Sequence, residues 1–218
     1  MKCPLCGKRR AKRSCPAGDS LICAQCCGEK RVLEIDCPES CKFLKAGRER
    51  EAEDYRKHLQ KMDPMSQEKH RKVLFDHQSV IAHLEYAISR QRILARDLCD
   101  RDVVQAVNSL LETYRTEDTG LIYERTEDNL RIESLRRELR EIIESYRNPE
   151  GEEGEGIVNP SNTRLQLGAA ISCLEFIRSL ASSYLKDRDS GSGYVDFLAR
   201  IVPRKEAQKS IIVPGNIP

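Results

Sequence analysis

Eight cysteines crowd into residues 3 to 41, and their spacing constrains this chain more than any other feature. Cys3, Cys6, Cys15, Cys23, Cys26, Cys27, Cys37 and Cys41 read C-x2-C-x8-C-x7-C-x2-C-C-x9-C-x3-C. A C-x2-C step makes a tight turn that aims two thiolates at one tetrahedral ion. Cys3/Cys6 and Cys23/Cys26 are two such knuckles, and Cys37/Cys41 is a wider pair of the same kind. Pro4, Gly7, Gly28 and Pro38 stand where knuckle turns want a fixed or a positive φ.

Metal is the expected use of these thiols. No apolar run approaches the ~20 residues that span a bilayer, and the start, MKCPLCGKRR, has no apolar secretory core. A cytoplasmic location is therefore expected, and there clustered thiols stay reduced.

One structural zinc takes four ligands, so eight thiols suit two ions. Giving the first four cysteines to one ion and the last four to the other would split the Cys23/Cys26 knuckle. The interleaved arrangement keeps both knuckles whole: Cys3, Cys6, Cys23 and Cys26 on one ion, Cys15, Cys27, Cys37 and Cys41 on the other. Successive side chains of an extended segment face opposite ways, so adjacent Cys26 and Cys27 would serve different ions.

Interleaved pairs at this spacing resemble the cross-brace zinc fingers, including the B-box, MYND and HIT-type fingers. The run CPAGDSLICAQCCGEKR…IDCPESCKFL is also similar to uncharacterised bacterial proteins with such an N-terminal finger. The resemblance covers residues 3 to 41 and implies a small two-zinc module that mediates protein contacts. The chain departs from it in having no histidine in this region and no cysteine near residue 18. Either Cys27 or Asp19 fills that coordination position.

About 40 residues bury too little surface to fold alone, so zinc here is expected to be structural. Redox thiols and catalytic zinc are the alternatives, but eight thiolates on two ions leave no open position.

Residues 1–50 hold 12 Lys/Arg against 6 Asp/Glu, and the densest run is GKRRAKR, residues 7–13. Lys8, Arg9, Arg10, Lys12 and Arg13 could contact phosphates of nucleic acid in a salt-sensitive, sequence-blind way. The same charge also offsets two four-thiolate sites, each formally carrying about −2.

Beyond the finger the expectation is an all-α body, giving a mainly α protein: a finger at 1–45, a polar helical linker at 46–64, a helical bundle at 65–204 with a mobile acidic loop at 148–160, and a flexible tail at 205–218. A long helix from Ser66 to Leu98 carries the heptad-like seam Val73, His77, Val80, Leu84, Ala87, Gln91, Leu94, Leu98. Asp102 with Gln105 resembles a capping box opening the next helix. A further helix turns Leu130, Leu135, Leu139, Ile142, Ile143 and Tyr146 inward, and the most apolar one, from about Thr163 to Lys186, sits centrally. Cys99 and Cys173 read as core. No H-E-x-x-H, P-loop or G-x-S-x-G run occurs, so no enzyme is expected. The reading is a zinc-dependent interaction protein with a protein partner, and with self-association through the body as a further option. A nucleic-acid-binding regulator led by segment 7–13 is the alternative.

Overall fold

The computed structural model describes residues 1–60, 63–118, 120, 126–149, 164–187 and 191–202. The expected tail, and all but the first two residues of the expected acidic loop, lie outside the described residues.

The protein is mainly α. A small hairpin pairs β1 (Arg13–Cys15) antiparallel with β2 (Ser20–Ile22), setting Arg13 opposite Ile22 and Cys15 opposite Ser20. The short helix α1 (Ala24–Lys30) follows, then α2 (Lys42–Gln60), which begins directly after Cys41 and runs through the boundary expected at residue 45. The body is built of α3 (Pro64–Leu94), α4 (Asp100–Asp118), α5 (Leu130–Arg147), α6 (Leu167–Asp187) and α7 (Gly193–Ile201). Among the described residues, no helix is long and apolar enough to cross a membrane.

Local chemistry explains the helix ends. Asp63 caps α3 by accepting the Ser66 N–H at 2.9 Å, and Pro64 fills the first turn, where no N–H is needed. α4 starts two residues before the expected Asp102. That aspartate reaches back to the Cys99 N–H at 2.9 Å, so it serves the far half of a capping arrangement rather than opening the helix. Gly120, with φ of 79°, follows α4 and returns its N–H to the Glu117 carbonyl.

The core sits among α3 to α7, with α6 packed on α4 and α3 packed on α5, α6 and α7. Leu84, Leu110, Leu135, Leu139, Leu174, Ile177 and Leu180 are fully enclosed. The seam of α3 is spent inside this bundle: Val80, Leu84 and Ala87 are core, and Gln91 bonds Glu138 of α5 at 2.6 Å. The seam departs from expectation at three points. α3 ends at Leu94, whose side chain is exposed; Leu98 is buried from the loop beyond; and His77 (φ −135°, ψ 33°) breaks helical geometry. Leu130 also lies outside the core, because it is the first residue of α5 and projects beyond the helices it would pack on. Cys173 is core, whereas Cys99 is only half-buried.

The finger does not hang free. Val32, Cys41 and Leu44 form an apolar cluster against Ile93 near the end of α3. Farther along α2, Tyr55 stacks on Phe197 of α7 at 5.0 Å between centroids. Gly47 lies under the Arg31 guanidinium: a Cβ there would fall 1.2 Å from Nη1, so only glycine admits this crossing without moving the arginine.

Candidate metal centre

Two turns of different kinds bring four thiols together. In the first, Gly7 (φ 64°) donates its N–H to the Cys3 carbonyl at 2.8 Å and closes the knuckle. The Cys6 sulfur then accepts the main-chain N–H groups of Arg9 and Lys8, which draw its pKa down to about 6. The second is the start of a helix. Cys23 is the N-cap of α1, and its sulfur accepts the Cys26 N–H at 3.4 Å, which lowers its pKa as well. A bridge between Lys2 and Arg10 and a bond from the Lys12 N–H to the Ile22 carbonyl (3.0 Å) lay the two turns side by side.

The sulfurs of Cys3, Cys6, Cys23 and Cys26 consequently lie within 4.8 Å of one another. A tetrahedral ion with metal–sulfur bonds of ~2.3 Å needs sulfurs about 3.8 Å apart, so small side-chain rotations suffice to close the shell. Cys3, Cys23 and Cys26 are buried and Cys6 is half-buried. Burial, and hydrogen bonding among the sulfurs, push Cys26 up to about 12. Four crowded thiols of this kind cannot all ionise alone, and a cation among them supplies what the fourth proton's release requires. The group can hold a metal ion.

Cys26 and Cys27 lie in a helix, not in the extended segment that their adjacency suggested. Neighbours on a helix diverge by about 100° rather than 180°. That turn is enough to send Cys26 back to Cys23 while Cys27 faces elsewhere, and both are buried. Gly28 likewise takes ordinary helical φ inside α1, so the positive φ expected of it is absent.

The other four cysteines divide: Cys15 and Cys27 pack with the first set, whereas Cys37 and Cys41 belong to the cluster that meets Ile93. Cys15 ends β1, Cys27 lies on α1, and Cys41 precedes α2, its carbonyl taking the N–H groups of Leu44 and Lys45 at 3.0 and 3.1 Å. These three are buried and Cys37 is half-buried. Burial raises the Cys37 pKa, and the charges of Cys41, Cys15 and Cys27 act on it in the same direction. Against these, the Val32 N–H bonds the Cys37 sulfur. Val32 holds φ of 66°, a left-handed conformation that a β-branched residue rarely adopts. Sequence pattern gave no hint of this residue; a valine between Arg31 and Leu33 looks like ordinary core. Among the described residues, only Cys3, Cys6, Cys23 and Cys26 reach the 4.8 Å spacing.

The basic run divides. Lys8, Arg9, Arg10 and Lys12 are exposed. Against the lowering effect of burial, the exposed Arg9 guanidinium lies close enough to the Cys23 sulfur for their interaction to raise its pKa. Arg13 is half-buried with its guanidinium over the Phe43 ring at 4.8 Å, fastening β1 to the start of α2. Asp19 sits exposed in the hairpin turn with φ of 41°. Comparison with family models, with curated proteins and with solved structures returned no match.

Proposed function

We propose that the chain is a non-enzymatic, zinc-dependent interaction protein, in which two structural ions shape the N-terminal finger so that it docks a protein partner. The observation that carries this reading is the closed set of Cys3, Cys6, Cys23 and Cys26, which offers four sulfurs and leaves no coordination position for a substrate. Cys15, Cys27, Cys37 and Cys41 hold the second ion. In support, three of them are buried, Cys37 lies within electrostatic reach of the other three, and the strained Val32 spends its N–H on the Cys37 sulfur. Cys27, not the exposed Asp19, is assigned the remaining position. The whole is a cross-brace arrangement of the B-box and MYND kind, and the four-sulfur donor set suits zinc.

A protein partner is favoured over nucleic acid because two of the five cations in segment 7–13 have partners inside the finger. Lys8, Arg10 and Lys12 are exposed on the same small finger as Leu5 and Leu21, a mixture of cations and apolar groups that suits an acidic protein surface.

Native mass spectrometry tests the metal reading. Wild type should carry two zinc ions, and Cys27→Ser should lose the second selectively; one ion in both proteins would overturn it. Affinity capture before and after chelation tests the docking role, and a partner set indifferent to chelation would refute it. Salt-sensitive nucleic-acid binding that falls on neutralising Lys8, Arg10 and Lys12 would favour the alternative.

A further inference from the structure

Helices α3 and α6 leave a groove of about 500 Å³ between them. Three of its features converge. First, His70 forms part of its wall with only 8% of the residue exposed, and its Nδ1 has no hydrogen-bond partner. A buried polar atom of this kind calls for a partner that the protein does not itself provide. Burial lowers the pKa of His70, so the ring stays neutral and contributes a hydrogen-bonding edge rather than a charge.

Second, the break in α3 at His77 lies on the same wall, in a helix with neither proline nor glycine after Pro64. A kink without those residues arises at a π-bulge or where another group enters the helical ladder. Third, the charges are unequal. Lys69, Lys72 and Arg178 line the groove. Of its two carboxylates, Glu175 is drawn away to Arg115 at 2.6 Å, leaving Asp76. Between the cations, Val73 and Phe176 offer an apolar floor, with the His70 ring edge-on to Phe176 at 4.8 Å between centroids.

We propose that this groove binds a small organic anion, a carboxylate or a phosphate ester. Its charged end meets Lys69, Lys72 and Arg178, its apolar body rests on Val73 and Phe176, and a polar group beside that body pairs with His70 Nδ1 once a turn of the ring opens that atom, which is closed to solvent in the free protein. The site is independent of the metal centre: none of its residues belongs to the finger, and it stands or falls separately from the proposed docking role.

The test is a titration of the full, metal-loaded chain with benzoate, phenyl phosphate and inorganic phosphate, read by the ¹⁵N shifts of the His70 ring. Benzoate or phenyl phosphate should shift those nitrogens saturably, with inorganic phosphate weaker by about tenfold or more. The tighter of the two aryl probes identifies the anionic group. Lys72→Gln, at an exposed position, combined with Arg178→Gln, whose half-buried guanidinium also bonds Asn108 at 3.4 Å, should weaken binding by about tenfold or more, and Lys72→Gln alone should weaken it by less at an unchanged melting temperature. His70→Phe, which keeps the ring edge on Phe176 and removes Nδ1, should abolish the preference that the wild type shows for 3-hydroxybenzoate over benzoate, both read in this variant from the backbone ¹⁵N shifts of Val73 and Phe176. The proposal is overturned if none of the three probes gives a saturable shift, if inorganic phosphate binds as tightly as the aryl anions, or if the double variant binds like wild type.

Discussion

Arg48 grips Glu39 through both guanidinium ends, with Nη2 at 2.9 Å from Oε1 and Nη1 on the second oxygen, while its Nε donates to the Arg200 carbonyl at 2.7 Å. Glu39 lies inside the Cys37–Cys41 loop and Arg200 lies in the last turn of α7, so one side chain spans the cysteine-rich module and the bundle. Arg200 in turn meets Glu51 of α2 at 3.4 Å. Arg48→Ala should therefore cost about 1–2 kcal/mol in denaturant unfolding, because a helix-end carbonyl and a half-buried carboxylate both lose a charged donor. Arg48→Lys should recover only part of it, since an ammonium cannot make the forked contact. An unchanged midpoint in Arg48→Ala would show that the joint carries no energy.

Metal removal should be felt along the same route. Chelation should raise amide exchange first in the β1–β2 hairpin and α1, and next in the C-terminal turn of α7, with the α4 and α6 core amides unchanged. Hydrogen-exchange mass spectrometry reads this directly. In Arg48→Ala the α7 response should disappear, because that turn is already loosened before the chelator is added.

The N-terminus of α7 is capped from another helix. Asp100, fully buried, accepts the Tyr194 N–H at 3.1 Å and the Val195 N–H at 3.0 Å, whereas the local N-cap Ser192 makes no side-chain cap bond. Asp100→Ala should cost about 2 kcal/mol in equilibrium unfolding by leaving both donors unpaired. Asp100→Asn, which keeps one acceptor oxygen, should cost about half of that.

Glu85 gives the bundle a pH dependence. Desolvation among aromatic rings raises its pKa to about 7, and the Tyr194 hydroxyl, donating at 3.2 Å, offsets that only in part. The hydroxyls of Tyr55 and Tyr184 lie in the same cluster. The folded value stands above the unfolded one near 4.5, so between the two the native state binds more protons than the unfolded state. Stability should therefore fall as pH rises from about 4.5 to about 7 and level off above. Burial raises the pKa of Asp100 too, which adds a slope of the same sign. Glu85→Gln should remove its own share and be more stable than wild type at pH 8 by about 1–3 kcal/mol, with little difference near pH 4. Thermal melts across that range decide it.

What could be read ahead from the sequence was whatever depends on short spacing. The pairing of Cys3 and Cys6 with Cys23 and Cys26 was legible because two knuckles leave little choice about which sulfurs meet. The helices of the body were legible from apolar periodicity, down to the inward face of α5 from Leu135 to Tyr146. Conformation at Cys26–Cys27 was not, because adjacency separates two side chains on a strand and on a helix alike. Arg9 and Arg13 look the same as Lys8 and Arg10 in a basic run; only the fold turns one toward a sulfur and the other onto Phe43. The cap from Asp100 to α7 joins residues more than ninety positions apart, and no local pattern encodes it. His77 could be marked as an odd polar member of the α3 seam, but without a proline or glycine nothing announced that the helix breaks there.

The placement of Cys26 and Cys27 on one short helix also says how this segment can change over time. Substitutions around the pair alter surface or charge, and most leave the two sulfurs where they are. An insertion of a single residue between them would turn everything beyond it by about 100° and shift it by about 1.5 Å, carrying Cys27 off its wall while Cys26 stayed in place. Chain length, more than residue identity, is what drift can least alter between these two positions.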